Sequence, residues 1–393
     1  MLESLMQEAS KTNIAEQFDL DVALVHDWLT VQGASEDVFG EVCNLFPGDI
    51  FAARSDPGRD ESCEGLATHT SWVQNVPSIF GQQLVAPVLP GVYGSMETEE
   101  FDLILSDSHG FSHHVPKRAG GLHISYFHSP ADTLWAPDRE GCASDIYLDA
   151  VKGLFERQLR KVDAEASKNP DIILANSYTT ARRIEQRYGR HADAVIYPPV
   201  DTEKWSGVQR KGEGLGFLMV GELLGYKRAD LAIQAAKRLN VPLQIVGSGP
   251  KQRKMEELAG GHRKITFHGE TTDADLKEIM SRCEALLFPG CEDFGSALIE
   301  ALAAGLPVIA YGQGGAAETV TNKCGILFEE QSVDSLVEAM RQVNHRSFEP
   351  DHLREHAGQF DRLVFRRKYC NAVTEAVANH FEQPNSKVRA YAA

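Results

Sequence analysis

This 393-residue sequence has no paired cysteine motif, no long apolar run and, in its first half, little positive charge. Each shortage excludes a class of protein. The seven cysteines (43, 63, 142, 283, 291, 324 and 370) form no C-x-x-C pair and are odd in number, so reduced, packed thiols are expected instead of a zinc site or a disulfide frame. No window approaches the roughly 18 consecutive apolar residues that span a bilayer. Met1–Leu20 is polar and acidic, with neither a basic n-region nor an apolar h-region, so no secretory signal is expected and a cytoplasmic location follows, at most peripheral to the inner face of a membrane.

Positive charge is scarce where it would matter most for a polyanion. The net charge is -17, and residues 1–200 hold 15 Lys+Arg against 30 Asp+Glu, or -15, which leaves -2 for the remainder. Nucleic-acid binding needs a basic surface and is disfavoured, as is broad adhesion of the N-terminal half to an anionic membrane. A phosphate-bearing ligand must find a local positive site, and the second half is where to look.

What is present is a repeated alternation of short apolar runs with longer amphipathic stretches, the pattern of parallel sheets covered by helices. Strands are expected at Val22–Val25, Asp102–Leu105, Leu122–Tyr126, Ile172–Ala175 and Ala194–Tyr197, then at Gly216–Val220, Leu243–Val246, Ile265–His268, Ala285–Phe288 and Val308–Ile309. The expected fold is α/β, with two Rossmann-like domains facing a cleft. Residues 1–205 are expected to form the first domain, 206–363 the second, and 364–393 a helix returning to the first domain plus a frayed tail. Ligands of such sheets bind beyond the carboxyl ends of the strands.

The stretch from Phe288 to Pro307 holds the most chemistry. A strand ends at Pro289, a loop with Gly290 and Gly295 follows, and a helix starts at Ser296. Free N–H groups at that helix start suit phosphate oxygens, while Glu292 and Glu300 are bidentate acceptors for sugar and ribose hydroxyls. In Val220–Asp230, Lys227 and Arg228 sit beside a helix start and supply the local positive site. A fixed cation there stabilises a departing phosphate more than the bound substrate. Gly247-Ser248-Gly249 lacks the G-x-G-x-x-G continuation of a dehydrogenase and reads as a turn approaching the nucleotide. His128 follows a strand at its carboxyl edge and can donate to a sugar hydroxyl, orient the acceptor or assist the leaving group. Asp19-Leu20-Asp21 and Asp273-Ala274-Asp275 spell D-x-D outside cleft loops, so no metal is expected. No carboxylate pair suits a double displacement. Lys117, Arg118, Arg157, Arg160 and Lys161 read as solvated faces, and Asn176-Ser177 as a helix cap.

The E-x7-E spacing of Glu292 and Glu300, with Phe294-Gly295 inside it, resembles the signature of the family 4 retaining glycosyltransferases, which have the GT-B fold. Val25-His26-Asp27-Trp28-Leu29, His128-Ser129-Pro130, Ala175-Asn176-Ser177, Tyr197–Asp201, Tyr226-Lys227-Arg228, Val246–Gly249 and Phe267-His268-Gly269 follow the family order. The chain resembles mannosyltransferase-like enzymes of bacterial polysaccharide assembly. It implies that Glu300 holds the donor ribose and Glu292 the donor sugar hydroxyls. Backbone at Phe294, Gly295, Ser296 and Ala297 would meet the diphosphate and sugar, with Gly221 and Gly247 lining the donor. The carbonyl at His128 would face the transition state. Three positions depart from the family. Glu222 stands where an arginine usually follows the strand-end glycine, and must turn away, pair with Lys227 or Arg228, or mark a different donor. In the loop Gly33-Ala34-Ser35-Glu36, on the acceptor side, Gly33 and Glu36 match while Ala34, in place of a second glycine, and Ser35 depart. The expected function is retaining transfer of a hexose, mannose from GDP-mannose being the leading donor, from a nucleotide-diphosphate sugar to a glycan or lipid-linked acceptor. Two readings stand beside it: a nucleotide-sugar epimerase and a non-catalytic nucleotide-sugar-binding partner of the same fold.

Overall fold

A computed structural model describes residues 18–29, 34–56, 63, 65–76, 85–135, 149–211, 214–343 and 345–381. Two compact units separate in it: one takes the chain up to Tyr197 together with the segment from Phe365 onward, and the other holds Pro198–Val364.

The first unit is built on seven parallel strands, β1 (Val22–Leu29), β2 (Asp49–Ser55), β3 (Thr68–Thr70), β4 (Leu103–Ser108), β5 (Leu122–Phe127), β6 (Ile172–Ala175) and β7 (Ala194–Val195), in the order β3-β2-β1-β4-β5-β6-β7. Alternation along β1 sends Val22 and Leu24 to one apolar core and Ala23 and Val25 to the other, as expected of a sheet covered on both faces. One cover is helix α1 (Ala34–Leu45), with α2 (Asp149–Ala166) and α3 (Tyr178–Tyr188) following in the chain. Ser177 caps α3, its hydroxyl accepting from the Thr180 amide at 3.1 Å.

The second unit has six parallel strands, β8 (Phe217–Val220), β9 (Leu243–Val246), β10 (Ile265–Gly269), β11 (Ala285–Phe288), β12 (Val308–Tyr311) and β13 (Gly325–Phe328), in the order β10-β9-β8-β11-β12-β13. Counted within the unit this is 3-2-1-4-5-6, the Rossmann order, and the first unit shares it with one strand more. Its helices include α4 (Ala229–Leu239), α5 (Gln252–Ala259), α6 (Ser296–Ala303) and α7 (Val333–Val343). The short helix Thr202–Ser206 also folds here: Trp205 is buried, and Val200 bridges to Asp361.

The last helix, α8 (Arg362–Phe381), lays Phe365, Tyr369, Val373, Ala376 and Val377 against the first unit's core beside Phe39, Val42 and Phe46 of and after α1. Spacings of four, four, three and one keep those side chains on one helical stripe. Arg366 anchors it through an ion pair to Glu41.

Three strands differ from expectation by being present at all: Asp49–Ser55, Thr68–Thr70 and Gly325–Phe328. The latter two are sheet-edge strands; Thr68-His69-Thr70 offers no apolar run, whereas Ile326-Leu327-Phe328 is an apolar run that the expected strands omit. Strands β1 and β4 also continue past Val25 and Leu105, through His26-Asp27 and Ser106-Asp107-Ser108. Polar residues there signal a loop edge, yet all are buried because each finds a polar partner within the unit. No disulfide joins the six described cysteines; Cys43 and Cys63 lie with their sulfurs 2.8 Å apart.

Candidate functional site

In both sheets the chain order reverses between the first and fourth strands, so the loops leaving those strands meet. In the second unit these are the loops after β8 and after β11, and they bring Lys227 and Glu292 together: Nζ lies 2.6 Å from Oε2. Both side chains are mostly buried, and Glu292 Oε1 is buried with no hydrogen-bond donor among the described residues. A buried carboxylate oxygen without a donor costs free energy that a ligand hydroxyl can recover. Beside it, Gly295 caps α6 at φ +84 without any side-chain cap. A Cβ at Gly295 would sit 2.8 Å from Phe288 Cζ, so a side chain there would strain the backbone and crowd the ring together. The helix start, with Ser296 and Ala297 partly exposed, keeps its N–H groups available to an anion. Phe294 is buried and Glu300 half-buried one turn into α6.

Close backbone approach shapes the rest of this region. At Gly247 (φ +118) a Cβ would come within 2.2 Å of the Gly221 carbonyl oxygen. The Gly247-Ser248-Gly249 turn packs under the loop after β8, which bonds it through the Leu223 amide to the Ser248 carbonyl at 2.7 Å. Gly221 itself is at φ +134, with the Lys227 ammonium alongside. Arg228 occupies a left-handed backbone position (φ 56) at the start of α4, and its guanidinium grips Asp230 at 2.9 and 3.0 Å and Gln331 at 3.1 Å. Of the two cations expected here, Lys227 therefore pairs with the Glu292 carboxylate, and Arg228 braces the loop against α4. Glu222 is exposed; the carboxylates that meet Lys227 and Arg228 are those of Glu292 and Asp230.

The first unit's counterpart is built from buried titratable side chains. Register places His26 of β1 opposite Asp107 of β4, and His26 Nδ1 lies 2.9 Å from Asp107 Oδ2 as an ion-pair contact off the N–H line. On the other side, His128 Nε2 meets Asp107 Oδ1 at 2.7 Å. Glu36 of α1 approaches His26 Nε2 at 3.8 Å and accepts the Ser35 hydroxyl at 2.8 Å. Burial alone would keep His26 neutral, but attraction to Asp107 and Glu36 outweighs it and raises its pKa to about 10. Asp107, despite its own burial, is held down to about 2 by His128 and His26. Next to this row, Asp27 accepts four backbone amides, those of His109 and Gly110 (both 2.8 Å) on Oδ2 and those of Phe111 (2.7 Å) and Ser112 (2.9 Å) on Oδ1. The His128 carbonyl is bonded by the Thr180 hydroxyl at 2.9 Å. Glu36 thus reaches the histidine–carboxylate row, and Ala34 begins α1, while Gly33 lies outside the described residues.

A second buried cluster lies deeper. Asp163 Oδ1 faces His114 Nε2 at 2.9 Å and His113 Nε2 at 3.3 Å, and Oδ2 accepts Trp135 Nε1 at 2.6 Å and the Tyr188 hydroxyl at 2.8 Å. Burial, reinforced by the neighbouring His113, lowers His114 to about 4. With donors on both oxygens, this carboxylate ties α2 to the turn after β4 and to α3. Lys117 and Arg118 are engaged by Asp171 and Asp102, and Arg160 by Glu156 and the Leu134 carbonyl.

Sequence reasoning did not single out Asp107, nor assign roles to His26 and Asp27. The available signal was positional: a carboxylate at the carboxyl end of β4 becomes adjacent to β1 once the 3-2-1-4 order is known.

Comparison with known proteins accords with this architecture. A model described as Glycosyltransferase Family 4 matches residues 49–204, and one described as Glycosyl transferases group 1 matches residues 201–360. The chain belongs to the family 4 glycosyltransferases. Its two Rossmann-like units make it a GT-B protein. Among curated relatives, the D-rhamnosyltransferase WbpZ of Pseudomonas aeruginosa is 26% identical over 206 residues, 50% of this chain and 54% of that one. A GDP-mannose-dependent monoacylated alpha-(1-6)-phosphatidylinositol monomannoside mannosyltransferase of Corynebacterium glutamicum is 28% identical over 214 residues, 47% of this chain and 54% of that one. The chain spans about half the length of the curated relatives it matches. Among solved structures, Anabaena Alr3699/HepE in complex with UDP aligns over 90% of this glycosyltransferase-family chain and 100% of its own, at TM-score 0.66 and 16% identity, which speaks to fold.

Proposed function

We propose that this protein is a retaining glycosyltransferase that moves a hexose, mannose from GDP-mannose in the leading case, from a nucleotide-diphosphate sugar onto a glycan or lipid-linked acceptor. One observation carries the reading: the Lys227–Glu292 pair at the reversal point of the second sheet, with a buried, donorless Glu292 oxygen beside an uncapped helix start. Each part suits one portion of the donor. The α6 N-terminus and backbone at Phe294–Ala297 suit diphosphate, Glu292 suits sugar hydroxyls, and Glu300 suits ribose. GDP-mannose is favoured because curated relatives, the Corynebacterium glutamicum enzyme among them, are named for it.

In the proposed step the acceptor hydroxyl attacks the anomeric carbon on the face from which phosphate leaves. The carbon–phosphate-oxygen bond breaks, the new glycosidic bond forms, and the hydroxyl proton passes to the departing phosphate. Lys227 stabilises the charge that phosphate gains, so no metal is required by this reading. His128, and the Gly33–Glu36 loop with it, serve the acceptor. Among the described residues no helix is long and apolar enough to cross a membrane, and we place the reaction in the cytoplasm with peripheral membrane contact at most.

A panel of GDP-, UDP-, dTDP- and ADP-sugars tests the reading by thermal shift, followed by product mass spectrometry and anomeric NMR with candidate acceptors. Transfer with retained anomeric configuration, insensitive to EDTA, is expected; inversion, or loss of activity with EDTA, would refute the mechanism. Calorimetry with Glu300→Ala should show weakened donor binding, and unchanged affinity would remove its ribose role. Sugar isomerisation without acceptor would point to an epimerase instead.

A further inference from the structure

We infer that Asp107 is a positioning residue that keeps a proton on His128 Nε2, leaving Nδ1 as the ring nitrogen that accepts a hydrogen bond from a sugar hydroxyl. The substrate-facing half of this rests on the proposed role of His128; the tautomer half does not.

The geometry is specific. An ionised carboxylate can only accept, so the 2.7 Å contact between His128 Nε2 and Asp107 Oδ1 requires the nitrogen to donate. Nε2 then stays protonated whether the ring is neutral or charged, and Nδ1 is the nitrogen that gains or loses a proton. Asp107 is further restrained by the ion-pair contact of its Oδ2 with His26 Nδ1 at 2.9 Å. His26 is itself fixed by stacking on Phe39 at 4.7 Å and by Glu36 at 3.8 Å. His128 is anchored through its backbone, with its amide donating to the Ser108 carbonyl at 2.8 Å and its carbonyl accepting from Thr180. The remaining polar neighbours are accounted for. Asp27 is spent on four amides, His109 lies edge-on to the His128 ring at 6.5 Å, and Tyr126 flanks it at 5.2 Å with its hydroxyl committed to the Ile196 carbonyl. The depressed pKa of Asp107 agrees with a carboxylate that remains ionised at neutral pH. A row from Glu36 through His26 and Asp107 to His128 thus sets which nitrogen faces chemistry, as the residue behind an active-site histidine commonly does.

The test reads the tautomer directly. Long-range proton–nitrogen correlation on the 15N-labelled full chain, with the His128 signals assigned by their loss in His128→Gln, should show a proton on Nε2, with Nδ1 as the nitrogen whose signal changes along a pH series. A protonated Nδ1 with bare Nε2 would overturn the inference without reference to activity. In Asp107→Asn the amide can donate to Nε2 and push the proton to Nδ1. Turnover should then fall about 10²-fold while donor KM changes by less than about threefold. The fall should not deepen in the Asp107→Asn/His128→Ala double variant relative to His128→Ala, since the two act as one unit. An Asp107→Asn protein with unchanged tautomer and turnover would refute the positioning role. If that variant does not fold, the wild-type tautomer decides. Full activity of His128→Ala would instead remove the substrate-facing half, while the Nε2 assignment stood.

Discussion

The two units share a strand order but equip its reversal point in opposite ways. The first places a row of buried side chains there, Glu36, His26, Asp107 and His128, with Asp27 beside it. The second places backbone there: Gly221, Gly247 and Gly295 at positive φ, a bare helix start and the Lys227–Glu292 ion pair. Titratable side chains can tune proton positions and orient hydroxyls. Glycine loops and helix ends can come close to a diphosphate without adding bulk or net charge. The contrast matches the division of labour proposed for acceptor and donor.

Substitutions can break this contrast at several depths. Lys227→Ala should have the largest effect, lowering turnover on the order of 10²–10³ with the fold intact; steady-state kinetics near wild type would leave the second unit a backbone-only site. Asp27→Asn comes next. The amide can present only one acceptor oxygen to four N–H groups, and a loss of roughly 3 kcal/mol is expected in chemical denaturation. Gly247→Ala should cost about 1–3 kcal/mol through its left-handed φ and the 2.2 Å approach to Gly221. Gly358→Ala, which meets nothing within 4 Å, should stay within about 0.5 kcal/mol of wild type. Equal losses at both glycines would remove the argument for close backbone approach.

A pH dependence also distinguishes the first unit. His26 is raised from 6.5 to about 10, so its charged form contributes stability that is complete below 6.5 and disappears as pH climbs toward 10. His26→Gln should therefore destabilise more at pH 6 than at pH 10, by roughly a few degrees of difference in Tm. A pH-independent gap would mean the ring is neutral in the folded protein. Asp107 acts in the opposite window, its contribution being lost only as pH falls from 3.8 to about 2.

How legible these two sites are in the sequence follows from how local they are. Lys227, Glu292, Gly295 and Glu300 lie in contiguous strand–loop–helix segments, where a glycine and a helix start announce a ligand position before any fold is known. Asp107 belongs to no such segment. Its partners lie at His26 and His128, and only the β1–β4 and β4–β5 pairings make them neighbours. For the same reason β1 reads as ending at Val25: His26 and Asp27 look like surface residues until their buried partners are in place. The short edge strand β3 is hidden differently, because Thr68-His69-Thr70 carries no apolar run, while the Ile326-Leu327-Phe328 run of β13 is legible.

The amino-acid order by itself determined an α/β chain with two parallel sheets, a donor-type segment around Glu292 and a lone basic loop at Lys227, since each is encoded by short-range periodicity and spacing. Tertiary structure alone decided that Lys227 is bonded to Glu292 and that Arg228 is turned to Asp230. It also decided that His128 answers to a carboxylate 21 residues away. Those pairings depend on strand order, which brings distant loop ends together, and burial then selects which charges must find one another.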